Sequence, residues 1–110
     1  MKGYLGEFEE LVLLVIANLS DEAYGVAIKE MIELRANRSI SIGALHSTIS
    51  RLEEKGYLTS SLGGATTSRG GRRKRFFHLT SEAKTALAEM KALRDQLWDS
   101  SQVNFGLDRS

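Results

Sequence analysis

The change from a helical to a strand pattern between residues 43 and 79 limits the folds open to this chain more than any other feature. Residues 43 to 55 (GALHSTISRLEEK) predict a helix because apolar side chains recur at intervals of three and four. Those side chains are Ile42, Leu45, Ile49 and Leu52. Gly56 follows, and glycine readily takes the left-handed conformation that ends helices. Residues 57 to 62 and 73 to 79 then alternate apolar and polar side chains, which predicts a β-hairpin.

Three more helices surround this segment. Residues 7 to 19 and 24 to 35 carry apolar stripes at the helical period, and the first stripe is wide enough for burial on more than one side. Residues 81 to 99 form the last helix, with Thr80 as its expected cap. A brief strand is expected near Ile40. The order helix, helix, short strand, helix, hairpin, helix predicts a mainly α fold with a small β-hairpin, a winged helix-turn-helix with one further C-terminal helix.

The length of 110 residues suits a single domain. We expect residues 5–80 to form the winged helix-turn-helix core, residues 81–99 the C-terminal helix and residues 100–110 a frayed tail. No apolar run approaches the roughly 20 residues that a membrane span needs. Glutamates precede the first apolar run, where a signal peptide would carry positive charge. We therefore expect a cytoplasmic protein that does not enter a membrane.

The sequence gives no indication of catalysis or cofactor binding. The absence of cysteine excludes disulfides and thiolate metal sites. His46 and His78 are the only histidines, too few for a three-histidine zinc site. Neither pairs recognisably with a nucleophilic serine or an orienting aspartate. No metal, no cofactor and no enzymatic activity are expected.

Positive charge is confined to the middle of the chain, although the net charge is only +1. Residues 35 to 81 hold nine basic and two acidic residues, whereas residues 1 to 34 hold two basic and seven acidic ones. A run of charge is most often a solvated face. A basic patch next to a helix-turn-helix, however, is suited to attract a polyanion.

The helix at residues 43 to 55 occupies the place of a recognition helix, which enters the DNA major groove by its N-terminal end. Side chains outside its apolar stripe are small or polar, which permits close approach and hydrogen bonding to bases or phosphates. An ordinary exposed helix face is the alternative. The candidate DNA contacts are Ser41, which is also the expected N-cap, Ala44, His46, Ser47, Ser50 and Arg51.

The loop of the hairpin is the second candidate contact region. Its glycines let the backbone approach DNA closely, and its cations can reach phosphates or a minor groove. Phe77 and Leu79 are expected to anchor the hairpin in the core, and alternation leaves open whether Arg75 turns inward. The candidate contacts in this wing are Arg69, Gly70, Gly71, Arg72, Arg73 and Lys74. The alternative function is a protein-interaction module whose basic wing docks an acidic partner.

The last helix carries a short heptad seam, Ala86, Met90, Leu93 and Leu97. A small monomer would leave much of its apolar surface exposed, and a symmetric second copy would bury it. The alternative is that these side chains cover only the first helix of their own chain. The expected interface residues on this helix are Leu87, Met90, Leu93, Leu97 and Trp98, and Trp98 is also a candidate for lining an effector pocket between subunits.

Three motifs between Leu5 and Thr80 resemble PadR-type transcriptional regulators, in the compact branch of that family with a single terminal helix. They are EELVLLVIANL with AYGVAIKE, SIGALHSTISRLEEKGYL, and GGRRKRFFHLT. The resemblance implies a bacterial homodimeric repressor that binds double-stranded DNA at palindromic operators. In some members a small, often aromatic, ligand releases the DNA. The resemblance also implies that the first helix joins the dimer interface, through Phe8, Leu11 and Val12.

The chain departs from the family pattern at three positions. His46 and Ser47 stand where members often have Tyr-Pro, which puts any base contact of that tyrosine in doubt. Ala83 replaces a usual glycine near the start of the last helix. The basic run of the wing, Arg72 to Lys74, matches the family directly.

Overall fold

The structure is a computed structural model that describes residues 5–63 and 73–101. Apart from the short strand expected near Ile40, its elements follow the order predicted from the sequence, and a single turn of 3-10 helix, Ser20–Glu22, joins the first two helices. They are α1 (Glu7–Leu19), α2 (Gly25–Ala36), α3 (Ile42–Glu54), β1 (Leu58–Leu62), β2 (Arg75–Leu79) and α4 (Ser81–Asp99). The mainly α winged helix-turn-helix prediction is confirmed.

The ends of the helices are stabilised locally, as the sequence predicts. The Ser41 hydroxyl accepts a hydrogen bond from the Ala44 N–H at 3.0 Å and so caps α3. Thr80 caps α4 in the same way, accepting from the Ala83 N–H at 3.1 Å. Gly56 has φ 85°, a left-handed conformation that costs glycine little and lets the chain leave α3 towards β1.

The expected strand near Ile40 is not formed; residues 37 to 41 are irregular, and that prediction is wrong. The Ile40 N–H instead donates to Glu33 Oε2 at 3.4 Å. A bridge to the hairpin is made by the segment before α2. Tyr24 forms an isolated antiparallel bridge with Phe76, and the Phe77 N–H donates to the Ala23 carbonyl at 2.9 Å.

Helix α1 lies at the centre of the core and contacts α2, α3, β2 and α4. Burial on more than one side is therefore confirmed, and Val12 and Leu13 are both 0% exposed. Around them are packed buried side chains from every other helix and both strands, including Ile32, Leu52 and Phe77. Each such burial stabilises the fold by roughly 1.5 to 3 kcal/mol.

The hairpin returns the chain to the end of α3 and starts α4 there. The strands pair antiparallel, with Leu58 opposite Leu79 and Leu62 opposite Arg75. At the base of the hairpin the Thr80 hydroxyl donates to the Gly56 carbonyl at 2.8 Å. The hydrogen bond between Thr80 and Gly56 thus connects the end of α3, the end of the hairpin and the start of α4.

Candidate nucleic-acid interface

Helix α3 has a buried side and an exposed side, because its apolar residues recur at intervals of three and four residues. Leu45, Ile49 and Leu52 lie in the core, together with Thr48. Every predicted DNA contact on this helix is exposed: Ser41, Ala44, His46, Ser47, Ser50 and Arg51. The exposed side is small and polar, as expected of a surface that approaches DNA closely.

One apolar residue of α3 lies where the periodicity did not place it. Ile42 belongs to the stripe that predicts a core position, but its side chain is 44% exposed. It is the first residue of α3, and the buried residues of the helix begin about one turn later, at Leu45. The expectation that Ile42 faces the core is therefore wrong.

Arg51 lies on the flank of α3 that faces α1. Its Nη2 donates to Thr48 Oγ1 at 3.2 Å, and its Nε is 3.5 Å from Glu9 Oε2. About half of its side chain remains exposed, 53%. Arg51 is therefore part of an ion-pair cluster within the fold, in addition to being a candidate phosphate contact.

The same cluster ties α1 to the end of α3 through a buried carboxylate. Glu9 is 6% exposed, and its two oxygens accept from Lys55 Nζ at 2.9 Å each. The Gly6 N–H donates to Glu9 Oε1, also at 2.9 Å. Burial raises the pKa of Glu9, but the Gly6 and Lys55 hydrogen bonds lower it more, so that this pKa lies below its ordinary value. The carboxylate stays ionised and holds the orientation of α3.

A groove of about 710 Å³ runs between the N-terminal end of α2, the exposed side of α3 and the root of the wing. Its floor includes the buried Ile49 and Phe77. Its walls and rim are formed by Tyr24, Gly25, Val26, Ile42, His46, Ser50, Glu53, Arg73, Lys74 and Arg75. Glu53 is the one acidic residue among the described side chains that line it, so the rim is positive.

The root of the wing is held in place by aromatic contacts. Tyr24 meets the Phe76 ring edge to face, with ring centroids 5.7 Å apart. Lys74 Nζ lies 4.1 Å from the centroid of the Tyr24 ring, which attracts the cation. The Gly63 N–H donates to the Lys74 carbonyl at 2.6 Å, and the Phe76 ring covers Gly63 so closely that a Cβ there would clash. The position of Lys74 is thus set beside α3.

The predicted wing contacts divide into two groups. Arg73 and Lys74 are exposed at the root of the hairpin. Arg69, Gly70, Gly71 and Arg72 lie outside the described residues. Arg75 points outward, is exposed, and donates from Nη1 to Ser60 Oγ across the hairpin at 2.9 Å. Phe77 and Leu79 pack in or against the core, as predicted.

The residues predicted for the dimer interface also fall into two groups, one packed against its own chain and one exposed. Leu87 and Met90 pack partly against the core of their own chain, as do Phe8 and Leu11. Leu93, Leu97 and Trp98 are 54%, 59% and 53% exposed. Val12 is 0% exposed, so it has no surface to offer a second chain and does not belong in the predicted set. Arg94 Nη2 donates to Glu10 Oε1 at 2.7 Å and aligns α4 with α1.

Sequence reasoning missed Tyr24, Gly25, Val26 and Ile42 as residues of this groove. The groove brings together three segments that are far apart in the chain, and no local pattern signals that.

Within the described ranges 5–63 and 73–101, no group of three or more His, Cys, Asp or Glu residues is arranged to hold a metal ion. The same residues contain no helix with the length and apolar character required for crossing a membrane.

Comparison with known proteins gives a family-model match over residues 12–89, to the transcriptional regulator PadR-like family. A PadR-like transcription factor from Bacteroides fragilis has a similar structure, with TM-score 0.68, 21% identity and 82% of each chain covered. A PadR family regulator from Clostridium difficile R20291 aligns with TM-score 0.61 and 27% identity, covering 86% of this chain and 88% of that one. A transcriptional regulator from Clostridium thermocellum aligns with TM-score 0.66 and 20% identity, covering 91% of this chain and 92% of that one. No match was found among curated proteins.

Proposed function

Because the chain belongs to the PadR-like family of transcriptional regulators, we propose that it acts as a homodimeric repressor at palindromic operators in double-stranded DNA. Members of this family are DNA-binding regulators and not enzymes. The proposal concerns how this chain binds, in what assembly and with what effect. The alternative is a winged helix that docks an acidic protein partner through its basic wing.

The observation that carries the proposal is the position of the groove. It lies between the exposed side of α3 and the root of the wing, and its rim bears Arg73, Lys74 and Arg75. A duplex whose major groove receives the N-terminal end of α3 would bring a phosphate strand against this rim. We propose that His46, Ser47 and Ser50 face base edges, and that the wing cations contact phosphates.

The exposed end of α4 supports the dimer. Leu93, Leu97 and Trp98 are each more than half exposed, although their types favour burial. A second copy related by a two-fold axis would bury these three side chains on each protomer. The same axis would place two α3 helices on one face of the DNA, which matches a palindromic operator. A dimer on a promoter would block transcription.

Release by a small aromatic effector is a further part of the proposal. Trp98 is the single tryptophan of the chain and lies on the exposed part of α4. A ligand bound between subunits would change its fluorescence. We expect aromatic compounds that change Trp98 emission also to release bound DNA, and compounds that leave the emission unchanged to have no effect on DNA binding.

The decisive experiment selects bound sequences from a random duplex pool with the full chain at physiological salt. We expect enrichment of a palindrome whose half-sites are centred about one helical turn, 10 to 10.5 bp, apart or a multiple of that. Enrichment of a single half-site would contradict the dimeric part of the proposal. No enrichment, together with no binding to any promoter fragment including its own, would favour the protein-interaction module.

A further inference from the structure

Two large apolar side chains are exposed inside the basic groove. Val26 is 55% exposed and Ile42 is 44% exposed. Both line the groove that His46 and Lys74 also line. Neither is one of the buried residues of the core. Single exposed apolar residues are ordinary in proteins, but two that share a groove with a positive rim call for a partner that is both apolar and anionic.

Duplex DNA is a partner with that combination. Its phosphates are anionic, and the thymine C5 methyl group is the apolar group that base pairs present in the major groove. Ile42 is the first residue of α3, and the N-terminal residues of a recognition helix are the ones that contact base edges. Ile42, His46 and Ser50 follow at intervals of four and line the same groove, so they form one stripe along α3.

A second copy of the chain is the other apolar partner to consider. Docking two such grooves against each other would bring together Arg73, Lys74 and Arg75 of both copies. Like charges brought together in this way repel each other, which disfavours self-association on this face. The charge of the rim therefore favours DNA as the occupant.

We propose that Ile42 is a specificity-determining residue that contacts a thymine methyl group in each half-site, with Val26 forming the adjoining wall of the same apolar contact. The inference rests on the proposed DNA-binding function and adds to it a means of base discrimination that the polar residues of α3 do not supply. Serine reads bases ambiguously, whereas a methyl group distinguishes thymine from the other bases.

The test removes the methyl group and nothing else. In the duplex selected by the wild-type chain, each thymine is replaced in turn by deoxyuridine, and affinity is measured by fluorescence anisotropy. We expect one or two positions in each half-site at which deoxyuridine weakens wild-type binding about fourfold, the effect of losing one buried methyl-sized group. At the other thymines deoxyuridine should have no effect.

Two variants assign the contact to these residues. Ile42→Thr and Val26→Thr keep β-branched side chains but replace apolar surface with a hydroxyl. We expect Ile42→Thr, which loses the longer branch of the side chain but keeps one methyl group, to reduce the fourfold difference clearly, and Val26→Thr to reduce it less. Leu34→Thr is the matched control, because Leu34 is 82% exposed on α2 and lies outside the groove lining. It should retain the full fourfold difference.

The outcomes separate the inference from the function on which it rests. Wild-type binding with no sensitivity to deoxyuridine at any position would overturn the inference and leave the proposed function intact. Persistence of the fourfold difference in Ile42→Thr would overturn the assignment to Ile42. Failure of the wild-type chain to bind any duplex would overturn the proposed function itself. Unfolding temperatures of the variants within a few degrees of wild type would exclude misfolding as the cause.

Discussion

Helices α3 and α4 are both amphipathic, but they leave opposite kinds of surface exposed. Four residues of α3 are buried, and its exposed side is mostly small or polar, including Gly43, Ser47 and Ser50. In α4 only Ala83 is buried, and Leu93 and Leu97 are more than half exposed. The difference indicates different partners: α3 is suited to a polar, closely approaching polyanion, and α4 to another apolar surface.

The largest expected effect tests α4. Changing Leu93 and Leu97 to Asp would place four charges in a symmetric interface and remove four leucines from it. At roughly 1.5 kcal/mol for each of the four leucines, about 6 kcal/mol in all, the dissociation constant of the dimer should rise by about 10,000-fold or more. Light scattering at micromolar concentration should then report a monomer, and affinity for the palindrome should fall in parallel.

The matched control adds the same charges elsewhere on α4. Ala88 and Ala92 are exposed, and the helical period places them away from the seam that contains Leu93 and Leu97. Changing both to Asp should leave the dimer intact. Dissociation by both variants, or by neither, would contradict the assignment of the interface to the apolar seam.

The next effect tests what orients α3. Changing Glu9 to Gln removes the carboxylate that binds Lys55 and Arg51 and should lower the free energy of unfolding by about 2 kcal/mol, since hydrogen bonds to charged groups are strong when buried. Urea unfolding measures this. Glu7, whose side chain is 68% exposed and pairs with Arg38, is the control, and Glu7→Gln should leave the free energy of unfolding nearly unchanged, since exposed ion pairs contribute little. Equal costs would show that burial of Glu9 contributes nothing.

The same carboxylate predicts a dependence on pH. The pKa of Glu9 is lower in the folded chain than its ordinary value of 4.5, so its contribution to stability is complete above that pH. The contribution is lost as the pH falls from 4.5 through the folded pKa, because protonation then favours the unfolded chain. Glu9→Gln should therefore lose less stability than wild type over that fall in pH when unfolding temperatures are compared. Parallel pH profiles would contradict the lowered pKa.

A smaller effect tests the positive rim. Changing Arg73 and Lys74 to Ala should weaken binding to all sequences and reduce the slope of log affinity against log salt by about one for each lost phosphate contact. Titrations at several salt concentrations provide the slope. Changing Lys84 and Lys91 on α4 to Ala removes the same charge from another surface and should leave the slope nearly unchanged. If both double variants changed the slope equally, the wing root would have no special role.

The smallest effect tests the closeness of approach at α3. A Cβ added at Gly43 meets nothing within 4 Å, and Gly43 is the second residue of α3, so Gly43→Ala should stabilise the fold slightly through better helix propensity. The same methyl group would stand on the face that approaches DNA, and affinity should fall a few-fold. A more stable variant with unchanged affinity would place Gly43 outside the interface.

Much of the fold could be predicted because its signals are local. The periods of 3.6 and 2 residues gave each helix and strand to within about two residues, and Ser41, Gly56 and Thr80 act at the helix ends as predicted. The prediction of a strand near Ile40 was wrong, and the residue that does bridge to the hairpin, Tyr24, is a partner that no local pattern identifies.

The candidate site could be predicted only in part. Exposure of His46, Ser47 and Ser50 follows from periodicity, since the buried residues of α3 leave them on the other side. Periodicity wrongly assigned Ile42 to the core, because the pattern specifies a face of a helix but not how far its neighbours cover that face.

By itself, the sequence determined the kinds of element, their order, their caps and the confinement of positive charge to the middle of the chain. These depend on neighbours within a few residues, where backbone geometry and side-chain period act directly. The tertiary structure alone decided that Glu9 joins α1 to Lys55, that Tyr24 holds Lys74, and that Val26 and Ile42 share one groove. Those contacts join residues 16 to 50 positions apart, and only the packing of the helices around α1 brings them together.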